Sequence, residues 1–96
     1  LPKDPDGMAK ELKKGFDERT GRRVGVVIAD SFGRPFRFGS VGVAIGAAGV
    51  PTLWDRRGEE DLFGRRLETT RVAVADLLAS AANLVTGDAS EGIPVA

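Results

Sequence analysis

The 96-residue sequence has no cysteine, no histidine and no tyrosine. Without thiols there are no disulfides, thiolate metal sites or cysteine nucleophiles, a composition that suits an intracellular, cytoplasmic protein. Without imidazole, the commonest general base, the commonest metal ligand and the Ser-His-Asp arrangement are all excluded. Net charge is also missing: 14 Lys and Arg balance 14 Asp and Glu, so no overall field draws the chain to nucleic acid or anionic lipid. No apolar run approaches the roughly 18 residues of a membrane-spanning helix, and no signal-like segment is present. What remains for chemistry is carboxylates, hydroxyls, Lys, Arg and backbone amides. As ligands these oxygens suit hard cations such as Mg²⁺, Mn²⁺ or Ca²⁺ rather than zinc.

The length predicts one domain, residues 1–96, with 42% hydrophobic residues to build a core. A domain this short buries only about 60 to 65% of its unfolded surface, so modest stability is expected. The sequence opens on Leu1 and closes on Ile93-Pro94-Val95-Ala96, an apolar run resembling a strand cut short. We expect a piece of a longer protein.

Residues 6–19 place Met8, Leu12 and Phe16 at helical spacing, with Asp6 as the expected cap and Gly21 as the terminator. Residues 24–29, Val-Gly-Val-Val-Ile-Ala, read as a strand covered on both faces that ends abruptly at Asp30. Residues 41–50 are apolar but poor in side-chain volume, which predicts a closely packed neighbour. Residues 51–67 carry turn signals at Arg57-Gly58 and Phe63-Gly64 and predict a hairpin or extended excursion. Residues 68–85 predict the strongest helix, with Gly87 as its left-handed end. The expected fold class is α+β, a mixed β-sheet with two main helices, as a subdomain of a larger fold.

Two nucleotide motifs fail. Gly42, Gly46 and Gly49 are not spaced as a dinucleotide fingerprint, and no Walker-type loop occurs. Asp4 and Asp6 before Gly7 resemble a calcium loop only superficially. The segment Asp30-Ser31-Phe32-Gly33-Arg34-Pro35-Phe36-Arg37 stands out, because a carboxylate beside a hydroxyl can hold a divalent cation and two guanidinium groups can clamp phosphate or carboxylate. The plain alternative is a turn, with Arg34 and Arg37 paired to Glu59, Glu60 or Asp61. Trp54, Phe16 and Phe63 read as core or interface anchors, and Asp76 as a local cap or partner.

The run VVIADSFGRPFRFGSVGVAIGAAG, residues 26–49, resembles the pattern V-x-I-S/T-D-S/T-F-G-R-P-W-R-x-G-x-x-D-V-A-I-G-x-A-G of the coenzyme F420-0:L-glutamate ligase family. Leu1-Pro2-Lys3-Asp4-Pro5-Asp6, Asp61-Leu62-Phe63-Gly64-Arg65, Val72-Ala73-Val74-Ala75-Asp76 and the closing Gly-Ile-Pro-Val are also similar to family stretches. The resemblance spans nearly the whole sequence and matches the later part of a ligase core. It implies a GTP- and divalent-metal-dependent ligase, cytoplasmic and homodimeric, joining L-glutamate by its γ-linkage to coenzyme F420-0 through an acyl phosphate. Position by position, it implies that Asp30, Ser31 and Asp88 bind Mg²⁺ or Mn²⁺. Thr86, Gly87, Asp88, Ala89, Ser90, Glu91, Gly92 and Ile93 would contact the nucleotide, though the same stretch also reads as a helix end followed by a polar turn. Arg34 and Arg37 would hold phosphate or substrate carboxylate as catalytic residues. Two departures follow: Gly42 stands where the family pattern has Asp, and the family's nucleotide-binding Lys and Ser and its upstream Asp-x-x-Asn lie outside these residues. The fragment alone is therefore expected to be inactive. A non-catalytic binding or assembly domain that keeps the fold is the alternative.

Overall fold

The computed structural model describes residues 2–87 and 92–96. Six elements follow in order: α1 (Pro5–Thr20), β1 (Val26–Gly33), β2 (Ser40–Ala48), β3 (Trp54–Asp55), β4 (Arg71–Val72) and α2 (Val74–Thr86). The α+β class and the two main helices are as expected. Among the described residues strand pairing is antiparallel, in two separate two-stranded sheets, β1 with β2 and β3 with β4.

Helix α1 starts one residue earlier than the apolar spacing suggested, because Asp4 rather than Asp6 is its cap: the Asp4 carboxylate accepts the Gly7 amide at 3.0 Å, and Pro5 brings a helical φ without a donor to satisfy. Gly21 ends the helix in the left-handed conformation, as read from the sequence. Helix α2 begins later than expected. Residues Arg71 and Val72 pair instead with Asp55 and Trp54, and that ladder claims the backbone groups a longer helix would need. Gly87 closes α2 at φ 71° but with extended ψ, its amide reaching the Asn83 carbonyl.

The largest difference is in β1. The expected strand end at Asp30 is absent, and pairing runs on through Asp30↔Val43, Ser31↔Gly42 and Phe32↔Val41 to Gly33↔Ser40. Hydrogen bonding across the hairpin outweighs the weak strand preference of Asp, Ser and Gly. Nor is β1 covered on both faces, since its exposure rises steadily from buried Val26 to exposed Ala29 and beyond.

The register places the helices. Val26, Ile28, Gly46 and Ala48 share one face, where Ala9 of α1 completes a core of small residues. A methyl group added at Gly46 would lie 2.4 Å from the Pro5 backbone, so α1 rests directly on β2. Between Ile28 and Ala29 the register shifts, leaving Ile45 as an extra residue in β2. Beyond that bulge Gly42 faces the other way with Ser31, and a methyl group there would lie 2.5 Å from the Ala79 carbonyl of α2. The hairpin is thus held between two helices, one on each face. The close neighbour expected of the Gly-rich strand proves to be two neighbours.

The excursion expected over residues 51–67 is present and extends to residue 72. Turns fall at both predicted places, with Gly58 at φ 91° and Gly64 at φ 76°, and a Glu60↔Arg66 bridge joins the arms between them.

Candidate functional site: a cleft along the open strand edge

A cleft of about 890 Å³ runs beside β1, with Val26, Val27, Ile28, Ala29, Asp30 and Ser31 in succession along its floor. Met8, Leu12 and Phe16 of α1 wall it on one side, and Ala79, Ala82 and Asn83 of α2 on the other. Thr86, Gly87 and residues 92–96 also line it. The two stretches that resemblance marked for metal and nucleotide, far apart in sequence, therefore border one space. Asp88, Ala89, Ser90 and Glu91 lie outside the described residues.

The Asp30 carboxylate is exposed, and its Oδ1 accepts the Ser31 amide at 2.9 Å. It is not drawn inward. Because Asp30 and Ser31 are consecutive in a strand, their side chains leave on opposite faces. The sequence reading had put both in a loop, where they could converge freely. The cleft runs along the strand's edge, which is how it touches both. Asp30 is the only carboxylate among the described lining residues, and no group of three acidic, His or Cys side chains suited to a metal occurs among the described residues. The donor set fits a hard cation in chemistry: Asp30 brings a carboxylate and Ser31 a hydroxyl, and the sequence holds no imidazole or thiol to compete with them. Two side chains fall short of a full shell, so further ligands have to come from waters, phosphate oxygens or other parts of the protein.

Arg34 and Arg37 sit elsewhere. They occupy the tip joining β1 to β2, outside the cleft lining, where the Arg37 amide donates to the Arg34 carbonyl at 3.3 Å and the Arg34 guanidinium donates to the Phe38 carbonyl at 3.3 Å. Phe36 in the same tip adopts φ 59°, a left-handed conformation that costs a side-chain-bearing residue roughly 1–2 kcal/mol. The Arg34 Nε is shielded from solvent without a hydrogen-bond partner. The alternative pairing to Glu59, Glu60 or Asp61 is not seen among the described residues: Glu59 pairs with Arg56, and Asp61 accepts the Phe63 and Arg65 amides.

Asp76 departs from its expected local role. Its carboxylate accepts the Ala44 amide at 2.8 Å, while Asp6 accepts the Ala47 amide at 3.0 Å. An acidic residue in the first turn of each helix thus seals the outer edge of β2. Sequence reasoning missed this, although first-turn acids two and three residues after the cap positions Asp4 and Ala73 are a legible signal. The cleft walls were visible as helical spacing, but the gap between them was not.

The outcome is an α+β frame around an oxygen-donor cleft that uses neither imidazole nor thiol. The family model for F420-0:Gamma-glutamyl ligase matches residues 1–96, and the chain belongs to that family. It is similar to the coenzyme F420:L-glutamate ligases of Methanocaldococcus jannaschii (62% identical), Methanothermobacter thermautotrophicus (61%) and Archaeoglobus fulgidus (52%), which align over 97 to 99% of this chain. The chain spans 37 to 38% of the length of those relatives.

Proposed function

We propose that this chain is part of a ligase that adds L-glutamate by a γ-linkage to coenzyme F420-0, using GTP and a divalent cation. The observation that carries the reading is the cleft, which brings Asp30 and Ser31 into one space with Thr86, Gly87, Gly92 and Ile93. Family membership supplies the substrates: F420, glutamate and ligation are what the relatives' names state. GTP, the metal, the acyl phosphate, homodimerisation and a cytoplasmic setting come from the motif resemblance.

In this reading the precursor's terminal carboxylate is phosphorylated by GTP, and the glutamate amine displaces phosphate from the acyl phosphate. Little covalent chemistry falls to the protein, whose task is positioning and charge neutralisation. Mg²⁺ or Mn²⁺, when bound, would neutralise phosphoryl oxygens. Asp30 and Ser31 would hold it, with Asp88 as a further ligand. Residues 86–93 would orient the nucleotide, and Arg34 and Arg37 would meet phosphate or carboxylate if the hairpin tip folds over the cleft mouth. Because the family's nucleotide-binding Lys and Ser and its Asp-x-x-Asn lie outside residues 1–96, these residues on their own would lack turnover.

Calorimetry on the complete protein tests the reading. Mn²⁺-dependent GTP binding that disappears in Asp30→Ala supports it, and GTP binding indifferent to both metal and that substitution sinks it. A second reading, a non-catalytic binding or assembly domain, is favoured by Gly42, which borders the cleft where the family pattern carries an acid. It predicts no metal-dependent GTP binding at all.

A further inference from the structure

The two edges of the β1–β2 hairpin are treated differently. On β2 the outward amides of Ala44 and Ala47 are taken up by Asp76 and Asp6. Since Ala47 pairs with Val27 and Ala44 with Ala29, and amides of directly opposed antiparallel residues point the same way relative to the ladder, Val27 and Ala29 also turn their N–H and C=O groups outward, on the opposite edge. Among the described residues, no backbone bond outside the hairpin reaches Val27 or Ala29. At Ser31, the next outward position, the amide is already occupied by Asp30. This edge forms the floor of the 890 Å³ cleft, under Met8 at 44%, Leu12 at 37% and Phe16 at 42% exposure. An open edge beneath apolar walls is a strand acceptor.

We propose that an extended segment of the same polypeptide, lying outside residues 1–96, adds to β1 as a third strand, bonding to Val27 and Ala29 and ending beside Asp30. The space argues for one strand. Six residues of β1 make a floor roughly 20 Å long, with α1 and α2 rising on either side of it and residues 92–96 at its border, a width suited to a single extended chain. The length argues for the same chain, since 62% of a relative's length lies outside the matched region. The added strand would cover Met8, Leu12 and Phe16, and its end would deliver additional groups to Asp30, the one carboxylate side chain among the described lining residues. This rests on family membership and not on the ligase chemistry proposed above.

The test uses the complete protein and reads neither GTP nor metal binding. Residue-resolved hydrogen exchange should show the Val27 and Ala29 amides protected at least about 100-fold over unstructured amides. With the photo-crosslinking residue p-benzoylphenylalanine at position 16, the mapped crosslink should fall on a peptide from outside residues 1–96. Exchange of Val27 and Ala29 at unstructured rates would overturn the proposal, and so would crosslinks confined to residues 1–96 of the same or a second copy. A ligase that fails the calorimetric test and passes this one loses its chemistry and keeps its third strand.

Discussion

The hairpin between its two helices and the excursion of residues 51–72 are built on opposite principles. In the first, buried positions are small: Ala9, Ala48, Ala75 and Ala79 with Val26, and glycines wherever a helix backbone touches the sheet. In the second, the large side chains stand in solvent, with Leu62 at 99% and Phe63 at 90% exposure. The excursion is held by its backbone and by charge: a two-residue ladder, the Asp61 turn, the Asp55–Arg57 pair at 2.7 Å, and Arg56 lying 4.5 Å above the Trp54 ring. Close approach of backbones gives stability where side chains are small, whereas large apolar groups with nothing to pack against contribute little. Trp54, Phe16 and Phe63, read from sequence as core or interface anchors, are not core within these residues.

If that contrast holds, crowding the hairpin should do the most damage. Gly46→Val or Gly42→Val drives a side chain into helix backbone and should destabilise by about 2 kcal/mol or more, read from the denaturation midpoint at unchanged slope. Tolerance of either would mean that the helices do not rest on β2. Next in size is Asp76→Ala, which orphans the Ala44 amide at the start of α2 and should cost about 1 kcal/mol. The excursion should respond far less: Leu62→Ser should stay within about 0.5 kcal/mol by the same measurement. A larger loss would show that Leu62 has a covering surface in the complete protein.

The smallest effect is electrostatic. Hydrogen bonds from the Arg57 side chain and amide hold the Asp55 carboxyl down to about 2 from its ordinary 3.8. The sign follows from that depression: the charged form is favoured in the fold, so its contribution is present above about 4 and is lost as pH falls through about 2. A carboxyl NMR titration should place the Asp55 midpoint near that value, and Arg57→Ala should return it toward 3.8. Because the pair is exposed, global unfolding should scarcely respond.

Much of this was legible beforehand. Helical spacing of Met8, Leu12 and Phe16 marked α1, Gly21 its end, and Arg57-Gly58 and Phe63-Gly64 the turns, because local backbone preference decides those features. Asp30 and Ser31 were legible as a candidate pair from their chemistry alone. The continuation of β1 through them was not, since a partner strand supplied the hydrogen bonds that their own propensities lack. Asp76 and Asp6 were misread for the same reason, as their partners lie 32 and 41 residues away.

By itself the sequence determined which chemistry is available, oxygen ligands and guanidinium groups without imidazole or thiol, and where helices and turns can form, since both depend on side-chain identity and near neighbours. Only the tertiary structure decided that the bulge at Ile45 turns Gly42 and Gly46 to opposite faces, that one helix lies on each, and that β2's edge is sealed while β1's stays open. A one-residue offset in strand register reverses which face a side chain meets, and nothing in the local composition of either strand states that offset.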